Sequence, residues 1–190
     1  MKSLKFHFES LLDDDDIFLD HENDKKVIEE WILNNYDITG KLTISDDFVV
    51  DCDKYVYVEN KNITSLTNGI FRWGKVRGHF YCNHCENLIT LEGSTKEVGG
   101  NFDCSDCVKL KTLEGSPEYV DGTFSCDGCR SLKSLEGTPK EVGGYFNCSK
   151  CINLKSLEGA PEKIGGCLNC RYCDSLKITN SDRKKYILIN

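Results

Sequence analysis

The 190-residue chain sets 24 lysines and arginines against 31 aspartates and glutamates, a formal net charge of −7. That balance argues against a surface built to neutralise nucleic-acid phosphates, so no direct nucleic-acid binding is expected. With 39% hydrophobic and 29% charged residues, the composition supports a folded core and excludes wholesale disorder.

Residues 1–22 form an acidic and apolar N-terminal tail. Phe6, Phe8, Leu11 and Leu12 precede Asp13 to Asp16, and Ile17, Phe18 and Leu19 follow. Two readings stand side by side: a linear docking peptide that orders on its partner, or a tail folded back onto the domain. A calcium loop needs alternating ligands and a turn glycine, which the aspartate run lacks. No apolar stretch here serves as a signal-peptide core, and none elsewhere is long enough to cross a bilayer. The expectation is a cytoplasmic chain with no membrane partner. In that reducing compartment its 12 cysteines are thiols or metal ligands, not disulfides.

Residues 23–54 read as an N-terminal cap. Asn23 or Asp24 is placed to cap a helix running to about Asn35, with Val27, Ile28, Trp31, Ile32 and Tyr36 on its apolar stripe. Leu42, Ile44, Phe48, Val49 and Val50 suggest short strands after it.

From residue 55 to 178 the chain repeats with a 22-residue period. Cys82, Cys104, Cys126, Cys148 and Cys170 share one phase, and Cys85, Cys107, Cys129, Cys151 and Cys173 another. Phe80, Phe102, Phe124, Phe146 and Leu168 stand two residues before the first cysteine. Leu88, Leu110, Leu132, Leu154 and Leu176 stand three after the second, and Leu91, Leu113, Leu135 and Leu157 lead into Glu-Gly. Val98, Val120, Val142 and Ile164 open each unit, while Val58, Ile63, Leu66, Val76 and Gly78 make a degraded copy.

Each unit reads Val-Gly-Gly-x-Phe-x-Cys-x-x-Cys-x-x-Leu-x-x-Leu-Glu-Gly-x-Pro. Phe-x-Cys has the period of a short strand with two inward side chains. Leucines at three-residue spacing beside glycine and proline predict tight turns or a 3₁₀ segment. One unit cannot bury its apolar side alone, so the fold class expected is a repeat solenoid of short parallel strands. Residues 179–190 close it, with Tyr186 to Ile189 as a final strand over the last coil.

The unit resembles the cysteine-containing leucine-rich repeat, whose strand has apolar residues at its first, fourth and sixth positions and Asn or Cys at the ninth. Val98, Phe102, Cys104 and Cys107 take comparable places, although the Val98–Phe102 gap is one residue longer than the family spacing. The Ser-Leu-Glu-Gly-x-Pro phrase is similar to short repeat proteins of bacteria and large bacteriophages. That resemblance implies a leucine-rich-repeat-like scaffold that binds another protein. It suggests a phage-encoded inhibitor of a bacterial enzyme or defence complex, with an enzyme or nucleoprotein complex of the host cytoplasm as partner.

The cysteine pairs admit a second reading. Cys82 to Cys107 spell C-x₂-C-x₁₈-C-x₂-C, a zinc-ligand spacing, which would make the chain a zinc-stabilised structural protein or virion component. Against it, the first cysteine occupies an inward strand position, where a free thiol behaves as a small hydrophobe. The second stands where this repeat type satisfies backbone groups of neighbouring coils. Thiols with no bound metal or other cofactor are the expectation. Cys167 falls outside both columns at an outward position and is expected to be the most reactive.

No catalytic constellation is present. The four histidines, His7, His21, His79 and His84, complete no nucleophile, phosphate or metalloprotease motif. Glu92, Glu114, Glu136 and Glu158 form a ladder of identical environments, whereas paired acid and base carboxylates need different ones. A non-enzymatic binding module is the expectation. Outward positions vary while the core columns do not, and tyrosine and arginine most often dominate interfaces. Tyr81, Tyr145, Arg171 and Tyr172 are therefore the candidate contacts, with Asp103, Asp106 and Asp127 selecting a basic patch on the partner.

Overall fold

A chain whose inward residues recur every 22 positions closes its backbone hydrogen bonds on the coil before and after. The computed structural model describes residues 21–189 and is a parallel β-solenoid of about six turns behind an N-terminal helix. Helix α1 (His21–Asn35) leads into β1 (Tyr36–Thr39), β2 (Leu42–Ile44) and β3 (Val49–Cys52). The coils begin with β4 (Tyr55–Val58) and β5 (Arg72–Val76). They continue as β6 (Phe80–Tyr81) with β7 (Glu97–Val98), and β8 (Phe102–Asp103) with β9 (Tyr119–Val120). Next come β10 (Phe124–Ser125) with β11 (Glu141–Val142), and β12 (Phe146–Asn147) with β13 (Lys163–Ile164). The chain closes with β14 (Leu168–Asn169), α2 (Asn180–Lys185) and β15 (Leu188–Ile189).

Each coil thus carries two strands, not one. An eight-stranded sheet runs β1-β4-β6-β8-β10-β12-β14-β15, and a seven-stranded sheet runs β13-β11-β9-β7-β5-β3-β2. Val98 does not share the strand of Phe102. It lies in the second sheet, paired with Val76 and Val120. The extra residue between Val98 and Phe102 belongs to a Gly99-Gly100 corner between the sheets. Cys52, which fits neither cysteine column, pairs with Val76 and so begins the valine column.

A third leg, without regular structure, joins the two sheets through a pair of turns. The first is closed by a hydrogen bond from Leu110 N–H to the Cys107 carbonyl (3.0 Å), and the second by one from Ser116 N–H to Leu113 (3.0 Å). Tight turns of this kind recur in every full coil, and none is wound into a 3₁₀ segment. Gly115 in the second turn has φ of 86°, the value that a type II turn requires at its third residue. A Cβ there would stand 2.4 Å from the Glu92 nitrogen of the preceding coil, so neither the conformation nor the space admits a side chain.

Between the legs, Phe102, Cys104, Cys107, Leu110, Leu113 and Val120 and their equivalents are buried. Phe80, Phe102, Phe124 and Phe146 stack along the axis with centroids 5.3–5.5 Å apart and planes within 17° of parallel. Ile28 and Ile32 of α1 cover the first coil, as the apolar stripe predicts. Tyr36 stands edge-on to Trp73 (5.3 Å) and Trp73 to Phe80 (5.7 Å), which joins this cap to the stack. Strands β1 and β2 pair antiparallel with β4 and β3.

At the N-terminal end one expectation is corrected, and at the C-terminal end a helix is added. Asn23 and Asp24 do not cap α1, because the helix is already formed at His21 and both lie within it. The basic segment before the last strand is a helix, α2, opened by a capping box. Thr179 Oγ1 accepts from Asp182 N–H (3.2 Å), and Thr179 N–H donates to Asp182 Oδ2 (2.7 Å). Beyond α2, β15 pairs in parallel with β14, as the expected final strand.

Backbone closeness at the glycine corner gives a direct test. A Cβ at Gly143 would lie 2.2 Å from the Asp121 carbonyl oxygen of the preceding coil. We expect Gly143→Ala to lower stability by about 1–3 kcal/mol in denaturant unfolding, because backbone on both sides must shift. An unchanged midpoint would show that the coils are more widely spaced.

Candidate functional site

The outer face of the eight-stranded sheet, with the corners on either side of it, holds every candidate contact residue. Outward side chains stack in columns because the strands pair in register, Tyr81 beside Asp103, Ser125, Asn147 and Asn169. Immediately before the second cysteine of each coil, His84, Asp106, Gly128, Lys150 and Tyr172 form a further column. All five have φ between 55° and 70°. Four of these corners hold side chains in the left-handed region, which aims them out of the coil at an angle no strand position allows. The N–H groups of His84, Asp106, Gly128 and Lys150 donate to the next coil's carbonyls at 2.7–2.9 Å. Those bonds hold the conformation.

The seven candidates separate into two groups. Asp103 accepts from the Ser105 N–H (2.8 Å) and so closes its own corner. Asp127 accepts from the Ser149 hydroxyl (2.6 Å) and pairs with Lys150 (3.1 Å), whose own pKa it raises. Asp106 lies 3.5 Å from His84 Nδ1. Tyr81 is half-buried, its hydroxyl pKa raised by that burial and its ring 5.1 Å from Tyr57. These four have neighbours within the scaffold. Tyr145 and Tyr172, by contrast, are 57% and 71% exposed, and Arg171 is exposed on the same coil as Tyr172. Tyr145 lies on one coil, and Arg171 and Tyr172 on the next.

The strand column beside them is also internal work. His79 Nδ1 accepts from Asn101 N–H (2.8 Å), and Asn101 Oδ1 accepts from Thr123 N–H (2.9 Å). At the opposite end the face turns aromatic. Tyr55 stacks on His79 (4.9 Å, 9° between planes) and touches Tyr57, which meets Tyr81. Tyr55 and Tyr57 are absent from the sequence-based contact set, although Tyr55-x-Tyr57 already had the outward period of a strand. Tail residues 1–20, including Phe6, Phe8 and Asp13 to Asp16, lie outside the described residues.

The cysteines of the two columns face inward, and Cys167 lies outside them. Ten of the 12 are buried, and Cys167 and Cys173 are half-buried. The second cysteine of each coil donates its thiol to the carbonyl of the first cysteine of the coil before. Cys107 reaches Cys82 (3.2 Å), Cys129 reaches Cys104 (3.2 Å), Cys151 reaches Cys126 (3.2 Å) and Cys173 reaches Cys148 (3.1 Å). Among the described residues no three His, Cys, Asp or Glu side chains converge as a metal ion would require. Burial holds the Cys82 thiol well above its ordinary value. Cys104, Cys126 and Cys148 are raised by their hydrogen bonds to the next coil's thiols and by burial. Burial likewise lifts Cys170 to about 11. Cys173 moves the other way, lowered by its hydrogen bond from Cys148.

No helix among the described residues is long and apolar enough to cross a membrane. Comparison with protein-family models, curated proteins and solved structures finds no match for this chain.

Two measurements check the thiol layer. In the native protein at about pH 7 a thiol reagent should modify Cys173 and Cys167 and leave the ten buried thiols until denaturation. Rapid native modification of all of them would contradict the packing. The next coil's thiols together with burial (burial first for Cys82) favour the neutral form, so the folded pKa of Cys82, Cys104, Cys126 and Cys148 exceeds the unfolded value of 9.0. The stability this gives is complete below that pH and is lost as pH rises through the folded values. The thermal midpoint should therefore hold steady to about pH 8 and fall at higher pH; a flat profile to pH 10 or so would remove the thiols from the stability balance.

Proposed function

We propose that this chain is a non-enzymatic protein-recognition module whose contact patch is formed by Tyr145, Arg171 and Tyr172. One observation carries the reading. These three large side chains are exposed on adjacent coils, while polar groups elsewhere on the same face are engaged in bonds within and between coils. A patch with aromatic and guanidinium groups on a rigid support loses little conformational entropy on binding. Asp103, Asp106 and Asp127 add negative potential on the neighbouring coils, which favours a basic patch on the partner and speeds encounter.

The repeated Ser-Leu-Glu-Gly-x-Pro phrase and its resemblance to cysteine-containing leucine-rich repeats of bacteria and large phages support a partner in a bacterial cytoplasm. An inhibitor of a host enzyme or defence complex is the form of that role we favour.

The test compares wild type with Tyr145→Ala/Arg171→Ala and with Tyr172→Ala as baits for bacterial lysate. We expect wild type to retain one stoichiometric protein and each variant to bind it at least ~30-fold more weakly, the effect of losing an interface residue worth ~2 kcal/mol. Their thermal midpoints should match wild type, since all three residues are exposed. Equal retention by wild type and variants would move the contact patch elsewhere, and a variant lacking residues 1–22 would then test the tail.

A further inference from the structure

The third leg of the coil carries two columns of charge that play no part in the patch above. Lys111, Lys133, Lys155 and Lys177 follow the first leucine of successive units, and Glu92, Glu114, Glu136 and Glu158 follow the second. All eight are exposed. Lys155 N–H donates to the Lys133 carbonyl (3.3 Å) and Lys177 N–H to that of Lys155 (3.0 Å). Leu113 and Leu135 N–H bond the carbonyls of Glu136 and Glu158 in the next coil (3.2 and 3.3 Å). Each column therefore advances by one strand spacing, about 4.8 Å per coil. Three residues of chain separate the columns by at most ~10 Å.

What distinguishes this side is that, among the described residues, its charges form no ion pair. On the outer side of the seven-stranded sheet, Lys75 pairs with Glu97, Lys140 with Glu118 and Lys163 with Glu141. Among the described residues no such pair involves either column of the third leg. Four like charges so close together repel one another, and a matching column of opposite sign relieves that repulsion.

We propose that this side of the solenoid is an interface for a second copy of this chain, aligned parallel to the first. The surface is self-complementary in one orientation. A two-fold axis running between the columns, along the solenoid, sets each lysine column against the partner's glutamate column. An axis across the columns would set lysine on lysine. Three coils carry both charges, Lys111 with Glu114, Lys133 with Glu136, and Lys155 with Glu158. In the parallel pairing every contact occurs twice, as an isologous interface demands. Thr112, Ser134 and Ser156, small and half-buried between the columns, let the two legs approach. Ile89, which takes the lysine position in an earlier coil, and Ile152 are exposed along the same leg and give the interface apolar ends.

Sedimentation of the full chain tests this directly. A dimer is expected at ionic strength of about 0.01 M and a monomer at about 1 M, where the screening length falls from ~30 to ~3 Å. Lys133→Glu/Lys155→Glu and Glu136→Lys/Glu158→Lys should each be monomeric at low salt, with wild-type circular dichroism. Mixed together they should form a heterodimer, because at the two substituted coils one presents only carboxylates and the other only ammonium groups. A wild-type monomer at every salt concentration overturns the proposal. So does a dimer that survives either substitution pair, or a folded mixture that stays monomeric. Contact through Tyr145 and Tyr172 is unaffected by any of these outcomes.

Discussion

Every backbone hydrogen bond that a coil makes with its sheets belongs to the coil above or below it. Phe102 N–H goes to Thr123, Cys104 N–H to Ser125 and Asp106 N–H to Asp127, and the series continues one coil on. A residue's environment is then set mostly by its own counterparts 22 positions away. Side chains succeed in a column only if they tolerate copies of themselves at strand spacing. Phenylalanine does so by stacking flat, valine by fitting the narrow second sheet, and the paired glycines by letting backbone approach backbone.

Cysteine answers a more particular demand. The second thiol of each pair sits where a coil turns off the first sheet and the preceding coil's carbonyl would face apolar surroundings. Valine or alanine would fill that space and leave the carbonyl of Cys82 or Cys104 without the bond it has. Serine would bond it but bury a more strongly hydrated group. A thiol is apolar enough for the core and a sufficient donor for one carbonyl. The zinc-like spacing of the pairs follows from this geometry, since two inward thiols flank each corner.

The columns were legible because periodicity reports burial directly: every phased phenylalanine, leucine and cysteine up to Cys151 is in the core. The second sheet was hidden for a physical reason. Within the repeats each of its strands carries a single buried valine or isoleucine position, too little for an alternation to register, and the glycine corner resembles an interruption more than a boundary. Helix α2 had a visible signal in Thr179 and Asp182, overshadowed by the apolar run after it. Among the candidate contacts, the sequence distinguishes outward from inward but not free from engaged. Asp103 and Asp127 are outward, and only the coordinates reveal that Ser105 and Ser149 use them. Tyr145, Arg171 and Tyr172 gain weight through the same comparison.

Equivalence of the coil boundaries makes length an independent variable of this molecule. Removing one 22-residue unit between Phe102 and Phe146 would again set phenylalanine against phenylalanine, and the Gly99-Gly100 corner against Gly143-Gly144. The two ends would come closer by a single strand step, about 4.8 Å. The aromatic cluster around Tyr55 would then stand at a new distance from Tyr145 and Tyr172, with neither group altered. Such a chain acts as a ruler graduated in coils, and related lengths would match partners whose own features are spaced by that increment.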